Sequence, residues 1–128
     1  MIVDAGEAIY SLLMANNSVK AITARCYPEI PQNPSLPLIA YYQISGVREH
    51  DLEGPVGMAV HRYQVDSLAE TYAGARELGR AVEAALDGYR GVVDDFNVHS
   101  ILLVGERTAW EPGLNLHRII QDYSITCK

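Results

Sequence analysis

Apolar residues recur along this chain in two rhythms, every second position in some stretches and every third or fourth in others. Tyr63-Gln64-Val65-Asp66-Ser67-Leu68 alternates as a strand does and then runs through Ala69-Glu70-Thr71 into a helical pattern. There Tyr72, Ala75, Leu78, Val82, Ala85, Leu86 and Tyr89 form one stripe, while Arg76, Glu77, Arg80, Glu83 and Asp87 fill the remaining surface. A strand feeding such a helix predicts a helix lying on a sheet. Near the start, Asp4 followed by Glu7 has the form of a capping box, and Ala5, Ala8, Ile9, Leu12 and Leu13 make an apolar stripe. The first helix is therefore expected over residues 4–15. Asn16-Asn17-Ser18 breaks it and can cap a short further turn with Val19 and Ile22 facing inward.

Prolines at positions 28, 31, 34 and 37 forbid helix and remove amide donors from any ladder, so this stretch reads as a stiff extended loop. Such a loop loses little entropy on docking and serves equally as a connector or as a partner contact. Residues 38–46 alternate as a strand, with Leu38, Ala40, Tyr42 and Ile44 on one face and Ile39, Tyr41, Gln43 and Ser45 on the other. Residues 48–57 read as a charged loop punctuated by Gly54, Pro55 and Gly57. Strands are expected over about 58–68, 98–107 and 116–127, the last two joined as an antiparallel hairpin through Glu111-Pro112-Gly113. The expected fold is α+β in a single domain over residues 1–128: a mainly antiparallel sheet of four to five strands with two principal helices on one face. The other face is not convincingly polar. Along 98–107, Val98, Leu102 and Val104 point one way and Ile101 and Leu103 the other, and Ile39 and Tyr41 pose the same question earlier. Apolar residues on both faces call for a second cover, and a neighbouring subunit is the natural candidate.

At 128 residues the chain is long enough for its own core, and 48% hydrophobic with 20% charged residues is an ordinary globular balance. A net charge of −6 with scattered basic residues weighs against a module that grips nucleic-acid phosphate. It suits a protein that stays soluble until it meets a partner, or one lining a passage to which DNA must not stick. The apolar run 9–15 is too short for a membrane span, and Asp4 and Glu7 stand where an export signal would carry positive charge. Cys26 and Cys127 allow one pairing, which a cytoplasmic chain does not require.

The search for chemistry finds no phosphate loop, nucleophile elbow, zinc-protease helix or Cys-x-x-Cys pair. His61, His99 and His117 fall on expected strands and His50 in the charged loop, none with a close ligand-spaced partner, so they read as structural or surface histidines. Asp94-Asp95 and the Asp51/Glu53 pair sit in segments that look exposed, and a solvated turn is the better reading of each. Neither a catalytic residue, a metal nor a cofactor is expected. Trp110, the sole tryptophan, stands near the tip of the final hairpin, as an interface anchor or tucked back on the domain. The tyrosines lack the interleaved basic residues of a single-strand binder.

Several pieces in a consistent order resemble the small phage tail-completion family, whose members act as tail terminators or tail-to-head joining proteins of long-tailed phages. They are Leu12-Leu13, Tyr27-Pro28, Leu36-Pro37-Leu38-Ile39-Ala40-Tyr41, Asp51-Leu52-Glu53-Gly54-Pro55, Thr71-Tyr72-Ala73-Gly74-Ala75-Arg76 and Leu114-Asn115-Leu116-His117-Arg118. The resemblance implies a tail-terminator-like fold and a structural virion protein of the neck. By it, the protein forms a ring, a hexamer in the particle, that caps the tail tube, joins it to the head-completion or connector protein and lets genomic DNA pass without specific binding. Assembly would take place in the host cytoplasm. A body of this length is roughly 35 Å wide; six in a ring leave a hole on the order of 35 Å, wider than a duplex of roughly 20 Å, whereas three leave almost none. Two surfaces are then needed, one for the tube and one for the neck. The proline loop (Pro31, Pro34), the charged loop (Arg48, Asp51, Glu53) and the hairpin tip (Arg107, Trp110, Glu111) are the expected suppliers. The rival class, a small α+β ligand-binding protein or enzyme, requires a concave pocket with convergent polar groups.

Overall fold

The computed structural model describes residues 4–51, 54–113 and 115–127, with the side chains of 47–58 left aside. Helix α1 (Ala5–Ala15) starts where Asp4 accepts from the Glu7 amide at 2.9 Å. Helix α2 (Asn17–Ile22) is capped by Asn16, which accepts from Val19 at 3.1 Å. Strand β1 (Cys26–Tyr27) precedes the proline segment; β2 (Leu38–Asp51) and β3 (Gly54–Ala69) form a long hairpin. Helix α3 (Tyr72–Leu86) follows Thr71, whose hydroxyl accepts from Gly74 at 3.0 Å. Strands β4 (Gly91–Val93), β5 (Phe96–Glu111) and β6 (Leu116–Cys127) complete one sheet in the order β1-β2-β3-β6-β5-β4.

Among the described residues the fold is α+β and mostly sheet, with six strands rather than four to five, and the short turn expected after Asn16 is a helix, α2, beside the two principal helices α1 and α3. The two extra strands are β1 and β4, of two and three residues, too short to leave an alternating pattern. Of the expected charged loop at 48–57, residues 52 and 53 lie outside the described residues, and 48–51 and 54–57 are instead strand in the outer part of β2 and β3, with Arg48 opposite Ala59 and His50 opposite Pro55. Gly54 and Pro55 looked like loop punctuation, but they open β3, where a missing donor interrupts little of the ladder. Strand β6 ends at Cys127 opposite Ala59, so beyond that point the β2–β3 hairpin runs on with no third strand beside it among the described residues.

One face of the sheet carries the main core: Ile39, Tyr63, Val65, Ile101, Tyr123 and Ile125 pack against Ala5, Ile9 and Leu13 of α1 and Leu78, Val82 and Leu86 of α3. The expected grouping of Val98 with Leu102 and Val104 is corrected here. A bulge between Val98 and Ser100 shifts the alternation, so Val98 joins Ile101 in the core while Leu102 and Val104 stay 52% and 47% exposed. Gly79 sets the approach of α3 to β6, because a Cβ there would lie 3.2 Å from Cγ2 of Ile119. The second face is partly covered from within. Leu38, Ala40, Leu68 and Leu116 are buried on it beneath Tyr27, Ile30, Leu36 and Tyr42, so the proline segment supplies a cover that the sequence pattern had left to a neighbour.

Candidate functional site

Strand register divides the molecule into two ends and an open face. At one end stand Leu38, Leu68 and the β5–β6 turn, where Glu111 faces Leu116; at the other the β2–β3 hairpin extends past Cys127. Of the expected contact residues, Pro34 and the tip of the final hairpin meet: Pro34, Ser35 and Leu36 line a depression with Glu70 and Asn115. Next to it, Ile22, Leu36, Pro37, Ala69, Glu70 and Glu77 line a second hollow of about 290 Å³. Pro31 lies half-buried in the same covering segment. Arg48 and Asp51 belong by register to the opposite end, and Glu53 lies outside the described residues.

Trp110 is 57% exposed yet not loose, because its ring stacks on His117 at 5.9 Å and 18°. His117 meets Tyr72 edge-on at 6.1 Å, and the guanidinium of Arg76 lies 5.5 Å over the Tyr72 ring. Arg76 also donates to the Tyr72 hydroxyl at 2.9 Å and pairs with Glu106 at 2.9 Å. From Glu106 the chain of contacts goes inward: the Gln121 amide donates to Glu106 at 2.9 Å and to the Gly79 carbonyl at 3.1 Å, and the Tyr123 hydroxyl donates to Gln121 at 3.0 Å. The Gln121 amide, with Arg76 after it, holds the Glu106 carboxyl below its ordinary range. An exposed aromatic edge is thereby fixed to a buried polar bridge between α3 and the sheet.

A second network occupies the open face. Asp66, fully buried, accepts from Gln64 at 3.0 Å and lies 3.7 Å from Nε of Arg118, which reaches Glu111 at 3.1 Å. Burial raises the Asp66 carboxyl above its ordinary value, with Gln64 and Arg118 opposing. Beside it Arg107 pairs with Asp122 at 3.3 Å and stays mostly exposed. Gln64, Asp66, Arg118, Asp122 and Gln121 were missed by sequence reasoning; the one signal available was a polar residue at an otherwise apolar strand position.

The histidines do not converge. His117 pairs in register with Ala69 and His61 with Ile125, near opposite ends of β6, and no group of metal-ligating side chains exists among the described residues. Asp94 and Asp95 form the exposed β4–β5 turn. Along the outer side of β2, Asp4, Glu7, Tyr41, Gln43 and Tyr63 edge an open hollow of about 500 Å³. Both cysteines are buried thiols, not a disulfide.

No curated protein matches the chain. A solved chain described as "Virion of native gene transfer agent (GTA) particle" shares the fold with a TM-score of 0.80 at 18% identity, over 95% of this chain and 92% of that one. The model of the family described as tail completion protein gp17 matches residues 7–128. That match spans all three helices apart from the first residues of α1 and every strand, and the chain belongs to the tail completion protein gp17 family.

Proposed function

We propose that this structural tail protein forms a ring at the end of the tail tube, stops further addition of tube subunits and presents its other surface to the head connector. One observation carries the reading: a single sheet sends one hairpin out at each end, the β5–β6 tip beside Pro34 and the β2–β3 tip opposite it. A ring built from such a body has two chemically different rims. The Trp110 rim, with Pro31, Pro34 and Glu111, offers a fixed aromatic edge of the kind that anchors interfaces. The other rim carries Arg48 and Asp51. Six copies give a lumen that passes a DNA duplex, and a net charge of −6 per copy keeps that duplex from adhering.

Particles assembled without this protein test the reading. By electron microscopy they should show tubes of irregular length separated from filled heads. Supplying Trp110→Ala or Glu111→Lys should restore them incompletely, while tubes of normal length joined to heads in its absence would refute the reading.

A further inference from the structure

Two strands leave part of their outer backbone unpaired. On β2 the neighbour β1 stops at Ala40, and among the described residues nothing pairs with the outer edge of 41–47. On β5 the outer edge is taken up to Leu103: β4 pairs with 96–98, Gly88 donates to the Ile101 carbonyl at 2.7 Å, Ile101 donates to Tyr89 at 3.1 Å, and Leu103 donates to Asp87 at 2.9 Å. From 104 to 111 no further strand is described on that side. Neither window contains proline, and each bulges at an exposed branched residue, Ile44 (55%) and Val104 (47%). Open edges of this length are templates for another strand.

The directions agree. β2, β3, β6 and β5 alternate, so β2 and β5 run oppositely within one copy. Copies related by rotation about a common axis point the same way, and β2 of one therefore meets β5 of the next antiparallel. We propose that the outer edge of residues 41–47 in one copy pairs with the outer edge of residues 104–111 in the next, so that a continuous sheet closes the ring. This deepens the ring reading above and rests on it.

The register follows from alternation. Ile39 turns its amide outward to Arg25, so Tyr41 and Gln43 turn outward too, and Gly46 does after the bulge. On β5 the outward residues Ile101 and Leu103 are followed, after the bulge, by Glu106, Thr108 and Trp110. Filling both windows sets Tyr41 opposite Trp110, Gln43 opposite Thr108 and Gly46 opposite Glu106. Within one copy Tyr41 lies level with Gln121 and Trp110 with His117, so neighbours must be offset by four residues, the distance from 117 to 121 along β6. Strands tilted by about 35–45° and spaced about 4.8 Å apart shift by about one residue each, and four long strands accumulate about four.

The test is a cysteine pair, Gln43→Cys with Thr108→Cys, in particles that carry this protein. The native thiols are buried and do not compete. Mild oxidation should give a non-reducing ladder of one to six copies, absent from either single variant. Thr108→Pro removes an outward amide, so the isolated chain should keep its melting temperature within a few degrees while the ladder and ring are lost. If the doubly substituted protein is present in particles but gives no ladder, the edge pairing is overturned and the ring reading stands. Cross-links to a different protein also overturn it. Absence of the chain from particles overturns both.

Discussion

Gln121→Met removes the amide that joins α3 to the sheet while nearly preserving volume. Gln121 is fully buried, and its three partners differ in what they lose. Glu106 reaches solvent and regains hydrogen bonds from water; the Gly79 carbonyl lies within α3 and keeps its helical surroundings. The Tyr123 hydroxyl, on a fully buried side chain, is left without an acceptor. An orphaned buried hydroxyl costs about 1–3 kcal/mol, and with the weaker losses the substitution should cost about 2–3 kcal/mol. For a chain of this length, 1 kcal/mol shifts the melting temperature by about 4 °C, so a fall of about 8–12 °C is expected by circular dichroism. Tyr123→Phe alone orphans the Gln121 oxygen and should cost about 1–3 kcal/mol. The double variant Gln121→Met/Tyr123→Phe has no orphan at this bond, so it should be more stable than the sum of the singles by at least about 1 kcal/mol. Strict additivity would refute the assignment of the Tyr123–Gln121 bond as a buried, water-free contact.

Other expectations are open to direct measurement. Thr71→Ala should lower stability by about 1 kcal/mol in urea titration, since the α3 cap accepts from Gly74. Burial raises the Asp66 carboxyl, so this group contributes stability in acid that is lost as pH rises through its folded value; Asp66→Asn should therefore gain stability relative to the parent as pH rises from the ordinary carboxylate range through that value, and a difference constant with pH would contradict this. Burial pushes the Cys26 thiol up to about 12, so a thiol reagent at pH 8 should modify it only after denaturant unfolds the chain. Trp110→Ala should cost the isolated chain less than about 1 kcal/mol, because the ring is largely exposed, while weakening attachment to the particle.

Periodicity made the long elements legible. The stripe from Tyr72 to Leu86 is α3, Asp4 caps α1, and the alternation through Tyr63 to Leu68 places Tyr63 and Val65 in the core. What escaped it depends on nonlocal pairing. Residues 48–57 carry turn-forming residues, yet cross-strand partners draw 48–51 into β2 and 54–57 into β3. The bulges at Ile44, His99 and Val104 reset which side chains share a face; Gly105 beside the last is a local signal of a bulge, and His99 has no glycine next to it. The fold of the proline segment over Leu38, Leu68 and Leu116 could not be read from stiffness alone. Of the contact residues, Trp110 and Pro34 were visible as an aromatic at a turn and a rigid loop; that Pro34 lies beside Asn115 of the turn that follows Trp110 required the sheet order.

The ring at the tube end is tested most directly by native mass measurement of the protein with and without its tail-tube protein. A complex in which six copies of this chain sit together on a tube end is expected. A chain that stays monomeric and unbound beside well-formed tubes would contradict it.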